Sequence, residues 1–97
     1  MDQSALGKSE LEKALKSLEN WDYQKDRLTK TFKFADFREA IAFIVEISFH
    51  ADHIDHHPIL YNVYNQVRIE LTTHSVGNKV THLDVVLARA IDQVASK

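Results

Sequence analysis

Pro58 is the only proline among 97 residues, and the hydrophobic period changes on either side of it. Before it, FREAIAFIVEISFHADHIDHH marks one face at spacings of three and four through Phe37, Ala40, Ile41, Ile44, Ile47, Ser48 and Ala51, which predicts a helix. Phe43, Val45 and Phe49 fall off that stripe. A helix that is apolar on more than one side packs against something additional, on a small protein often another subunit. After Pro58, YNVYNQVRIELTT alternates over about 13 residues, longer than the mean strand of roughly 5 or 6. The segment is therefore a hairpin or one bent strand, with Asn62 and Asn65 able to take turn geometry. Proline cannot extend a helix, and it pushes the preceding residue out of the helical region. The chain must pass from helix to sheet at this point.

The remaining elements follow from the same periods. Ser9 with Glu12 reads as a capping box, opening a helix with Leu11, Leu15 and Leu18 at helical spacing. Trp21 and Tyr23, a polar turn around Lys25 and Asp26, and the alternation of Leu28, Lys30, Phe32 and Phe34 predict two antiparallel strands. Asp36 with Glu39 caps the second helix. SVGNK forms a loop around Gly77, and Thr81 with Asp84 caps a last helix bearing Leu83, Val86, Leu87, Ala90, Ile91 and Val94. The order helix, two strands, helix, two strands, helix defines an α+β two-layer fold, with helices over one face of an antiparallel sheet. Ninety-seven residues support one core, so residues 1–97 are expected to form a single domain. Two glycines and one proline describe an ordered chain, with any disorder confined to the first few residues.

Composition removes several classes of function. A formal charge of −2 leaves no dense basic face to displace counterions from nucleic acid. The absence of cysteine removes disulfides, thiolate zinc sites and cysteine nucleophiles together, and is compatible with a reducing compartment. No leader opens the chain, and no run approaches the roughly 18 apolar residues of a membrane span. A cytoplasmic protein with small-molecule or protein partners is expected.

HADHIDHHP, residues 50–58, concentrates four histidines and two aspartates. Metal binding, proton transfer and simple surface polarity compete for it. His53 and His57 have the spacing of four that can share a metal on a helix, but the proline places His57 beyond the last helical turn. Asp52 and Asp55 flank the cluster without a recognised ligand spacing, so no metal is expected. His50 and His53 read as helix-surface residues. A helix C-terminus favours protonated imidazole, and Asp52, one turn before His56, adds an anionic neighbour. His56 is thereby placed as a proton donor. His74, in TTHSVG, follows the second β segment. If the last strand runs beside the end of the second helix, His74 faces the histidine pair across a pocket.

DHHPILYNVYNQVRIELTTH, followed by a loop and an aspartate-bearing helix, resembles the pterin-4a-carbinolamine dehydratases. HHP, NVYN, the V-x-I-x-L strand, the TH pair and Asp84 fall in family order, and Trp21, FKFADF and the helix after it are also similar. The likeness covers nearly the whole chain. It implies a four-stranded antiparallel sheet covered by three helices, and a hydro-lyase that converts a 4a-hydroxytetrahydropterin to quinonoid dihydropterin and water. It implies His56, His57 and His74 as the functional histidines and Asp52 as the carboxylate before the pair. On that reading His56 and His74 alternate as general acid and base, His57 holds the pterin, and Asp52 orients or charges the pair. Asp84 serves first as a helix cap and secondarily at the pocket edge. Two proton transfers without a redox step call for no cofactor. The expected partners are a small-molecule pterin and further copies of the chain, as a homodimer or homotetramer. The alternative reading is a protein-interaction module, because animal members also act as dimerisation cofactors for a homeodomain transcription factor. Leu60 stands where many members carry tryptophan, and the 75–83 loop is one residue longer than usual.

Overall fold

The computed structural model describes residues 4–97; the first residues, where sequence composition confines any disorder, lie outside the described residues. In chain order the elements are α1 (Lys8–Ser17), β1 (Asp22–Gln24), β2 (Arg27–Lys33), α2 (Phe37–His53), β3 (Ile59–Val63), β4 (Gln66–Leu71), a 3₁₀ turn (His74–Val76) and α3 (His82–Ala95). The strands form one antiparallel sheet in the order β1-β2-β4-β3. This is the α+β fold and element order that the periods predict.

The register explains which side chains meet the helices. Leu28 lies opposite Leu71, Lys30 opposite Ile69 and Phe32 opposite Val67, so these six share one face. The five apolar ones are buried with Ala40, Phe43, Ile47 and Ala51 of α2 and Val85, Leu87, Ala88 and Ile91 of α3. Lys30 is tolerated on that face because its ammonium reaches Asp92 of α3 at 2.8 Å and lies 4.7 Å over the Phe32 ring. Asp92 also accepts from the Trp21 indole at 3.0 Å, joining β2, α3 and the residue before β1 at one point.

Turns follow local chemistry. Lys25 and Asp26 both adopt left-handed backbone, φ 53° and 61°, as a two-residue hairpin with right-handed strand twist requires. Asp26 is held there by the Tyr23 hydroxyl at 2.8 Å and the Lys79 ammonium at 2.9 Å. The second hairpin turns at Tyr64 and Asn65, between β3 and β4. Asn62 donates to the Tyr64 and Gln66 carbonyls, and Asn65 donates to the Phe34 carbonyl at 2.8 Å. Gly77, at φ 76°, ends the 3₁₀ turn with nothing near its missing Cβ, so its role is conformational freedom rather than close packing.

Three details differ from the sequence expectations. α1 begins at Lys8 with Gly7 as its cap, and Glu10 rather than Glu12 reaches back, accepting from the Gly7 amide at 3.1 Å; Ser9 lies inside the first turn. The buried face of α2 keeps Ala40, Ile47 and Ala51 of the expected stripe but adds Phe43, whereas Phe37 and Ile41 are exposed. The expected stripe and a second one through Phe43 share these three residues and the same three-and-four spacing. The alanines permit close approach, and the Phe43 ring packs 5.0 Å from Phe32 and 4.8 Å from Phe34, which selects the second stripe. Third, the helix stops at His53, short of the histidine pair.

The other sheet face carries Thr29, Thr31, Arg68, Glu70 and Tyr61 in register. Glu70 accepts from Arg27 at 2.6 Å and from Arg68 at 3.0 Å. Arg27 first, and Arg68 after it, hold the Glu70 carboxyl below the usual carboxylate range against an opposing contribution from burial. A carboxyl lowered by folding contributes stability above its unfolded value of about 4.3, and that contribution is lost as pH falls through the lower folded value. Glu70→Gln is therefore expected to cost about 1 kcal/mol at neutral pH after solvent screening. Urea melts of both proteins should converge as the pH is taken below the lowered folded value of Glu70.

Candidate functional site

The site begins where α2 ends. The Asp55 amide donates to the Asp52 carbonyl at 3.1 Å and the His56 amide to the Ala51 carbonyl at 3.0 Å. With Asp55 left-handed at φ 51°, this is a Schellman closure in which aspartate replaces the usual glycine. The closure satisfies the last helical carbonyls and folds the chain back under α2. Consequently His56 is buried, 8% exposed, while His57 stays at the surface. His53 closes the helix and His57 lies beyond it, so the spacing of four does not place them on one helical face.

His56 points to the N-terminus of α3. Its Nε2 lies 2.5 Å from Oδ1 of Asp84, a residue with no solvent exposure. The other carboxylate oxygen accepts from the Thr81 amide and from the Thr73 hydroxyl, each at 2.8 Å. A hydroxyl has one proton to give, so the 2.7 Å contact between Thr73 and Thr81 runs from the Thr81 hydroxyl into the Thr73 oxygen. Thr81 in turn accepts from the Leu83 amide at 3.2 Å. Every donor in this chain points toward Asp84. The network assigns the proton facing Asp84 to His56 Nε2 and leaves Nδ1 as the other ring nitrogen.

This corrects the partner expected for His56. Asp52 pairs with His57, Nε2 to Oδ1 at 3.0 Å, and both are exposed; the Schellman closure, absent from a continuous helix, carries His56 away from Asp52. Asp84 does cap α3 as expected, yet it also holds His56 directly. His74 follows β4 in the 3₁₀ turn, with Nδ1 3.2 Å from the Asn78 side-chain oxygen. Asn78 is fixed by its left-handed backbone and by its amide, which donates to the Thr73 carbonyl.

His56, His57 and His74 line one cavity of about 330 Å³ together with Asp55, Thr72, Thr73, Ser75 and Leu83. The three histidines are thus brought together, and Asp52 and Asp84 each back one of them. His50 and His53 do not line it, nor does Leu60, which sits on the edge strand β3. Sequence reasoning missed Thr73 and Asn78. The Thr-Thr-His run and the Thr81–Asp84 cap were visible, but the link between them needs the loop to close. Among the described residues, no three histidine or acidic side chains form a group able to hold a metal. What the arrangement offers is acid–base chemistry: a buried imidazole with one nitrogen committed to a carboxylate, opposite two more accessible imidazoles.

Fold and cavity define a small α+β protein with three histidines on one cavity. A family model described as pterin 4 alpha carbinolamine dehydratase matches residues 4–94, and the chain belongs to that family. A protein of Opitutus terrae, provisionally named pterin-4-alpha-carbinolamine dehydratase, is 40% identical and the match covers 93% of each chain. One of Metallosphaera sedula with the same provisional name is 45% identical, with 92% of each covered. The crystal structure of a transcriptional coactivator/pterin dehydratase from Brucella melitensis matches with a TM-score of 0.90 and 38% identity, covering 95% of this chain and 99% of that one. A pterin dehydratase-like RuBisCO assembly factor of the alpha-carboxysome shares the fold, with a TM-score of 0.67 and 21% identity over 81% of this chain and 93% of that one.

Asp84→Asn keeps the shape but turns one oxygen into a donor. If the amide oxygen continues to accept from Thr73 and Thr81, its NH₂ faces His56, which must switch to the tautomer protonated on Nδ1. The expected outcome is a loss of about 2 kcal/mol in urea denaturation together with exchange of the two His56 ring-nitrogen shifts in ¹⁵N spectra.

Proposed function

We propose that the chain acts as a single-domain cytoplasmic dehydratase that converts a 4a-hydroxytetrahydropterin to quinonoid dihydropterin and water, as tetrahydropterin recycling requires. The observation that carries this reading is the convergence of His56, His57 and His74 on one cavity, in a chain of the pterin dehydratase family. At about 330 Å³, the cavity lies in the range of small-molecule sites.

The reaction needs two proton movements. Hydroxide leaves poorly, so the 4a-oxygen takes a proton as its bond to carbon breaks. The adjacent ring nitrogen supplies the electron pair that forms the new double bond and then releases its own proton. Water is the only product besides the dihydropterin, and no electrons are exchanged with the protein. His56 and His74 are the alternating acid and base. For His56 the committed Nε2 leaves Nδ1 for the substrate, and Asp84 offsets the charge that develops when the ring is protonated. His74, with Nδ1 donating to Asn78, presents Nε2. His57, paired with Asp52 at 3.0 Å, sits at the rim, where the two suit the polar edge of a pterin. The reaction calls for no metal or organic cofactor.

A second reading rests on α2. Phe37, Val45 and Phe49 are 50%, 52% and 70% exposed, with Ile41 between them, an apolar stripe that suits contact between copies of the chain. The same stripe suits a protein partner, and the Brucella relative is described as a transcriptional coactivator as well as a dehydratase. No helix among the described residues is long and apolar enough to cross a bilayer.

His56→Ala and His74→Ala are each expected to slow dehydration of freshly generated carbinolamine by about 10² to 10⁴, measured above the spontaneous rate. Full activity in both variants sinks the assignment.

A further inference from the structure

We propose that the sheet face opposite the helices binds a small aromatic anion, a planar ring carrying a phosphate or carboxylate, in a basin separate from the histidine cavity. The basin holds about 320 Å³ and is lined by Lys25, Arg27, Thr29, Tyr61, Arg68 and Glu70, with Gln24 at its edge. It shares no lining residue with the histidine cavity.

Its charge is the reverse of the chain's. Three cations surround one carboxylate in a protein whose formal charge is −2. Glu70 engages one guanidinium nitrogen of each arginine, which fixes both heads in place. A guanidinium carries five N–H donors in a rigid fork, so most of those on Arg27 and Arg68 remain available to an anion. Bidentate recognition of phosphate or carboxylate is what such a pre-set pair does best.

Thr29 is the second, independent observation. It is 4% exposed, and its hydroxyl has no hydrogen-bond partner among the described residues. No fully buried side-chain nitrogen or oxygen there lacks a partner, so the hydroxyl keeps its small exposure toward the basin it lines. Buried hydroxyls are normally satisfied, and an anion oxygen between the arginines would accept from this one. Tyr61 supplies the ring wall. It lies directly opposite Arg68 in the β3–β4 register and is 52% exposed. It also borders a neighbouring hollow of about 230 Å³ shared with Thr31 and Val63, which gives a ring room to lie across the tyrosine. Three cations are too few for nucleic acid, whose affinity scales with the number of phosphates neutralised.

The test is a ¹H–¹⁵N titration of the full chain with phenyl phosphate, benzoate, inorganic phosphate and benzyl alcohol at constant ionic strength. Phenyl phosphate or benzoate is expected to saturate below about 10 mM, moving the Thr29, Tyr61 and Arg68 amides, and to bind about tenfold more tightly than inorganic phosphate or benzyl alcohol. Thr29→Val and Arg68→Gln, checked by thermal melts for an intact fold, should each weaken binding by about fivefold or more. The proposal is overturned if neither aromatic anion saturates, if both variants bind as well as the parent, if inorganic phosphate binds as tightly, or if the shifts centre on the histidine cavity.

Discussion

The contact between His56 and Asp84 organises both the fold and the site. A carboxylate removed from water is stable only where donors replace its hydration. Asp84 draws those donors from three places: the Thr81 amide at the head of α3, the Thr73 hydroxyl just after β4, and the His56 ring just after α2. One side chain therefore caps a helix, fastens a loop and anchors the end of another helix. The positions of His57 and His74 follow, because each is covalently next to an anchored residue. The placement of the three histidines is in this sense a by-product of satisfying a buried carboxyl group.

Much of this arrangement was legible in the residues. The changes of period around Pro58 gave the element order, and Thr81 with Asp84 marked the start of α3. Lys30 on an apolar strand face also proved meaningful, through Asp92. What local patterns could not show was the direction of His56. Its inward path depends on Asp55 taking a left-handed conformation usually marked by glycine, so nothing in the sequence announced a Schellman closure. Asp52 looked like the natural partner on a helical-periodicity argument, and that argument fails where the helix has ended.

The misassigned faces have a related origin. In α2 two apolar stripes run side by side, and the choice between them is made by aromatic packing of Phe43 on Phe32 and Phe34. In α3, Val85 and Ala88 are fully inside while Val86 and Ala90 are only partly covered. Both helices are apolar over a wider arc than a single stripe, so tertiary contacts decide the rotation. His74 was placed conditionally, on the last strand running beside the end of α2. β4 pairs with β3, the strand that leaves that helix end, and the condition is met.

The three histidines are proposed to form one pterin site, with the other histidines standing outside it. Titration of the chain with a stable dihydropterin, followed through the histidine ring ¹H–¹⁵N signals, tests it directly. His56, His57 and His74 are expected to shift together with one common midpoint, while His50, His53 and His82 stay still. Shifts confined to His50 and His53, or three different midpoints for the cavity histidines, would contradict it.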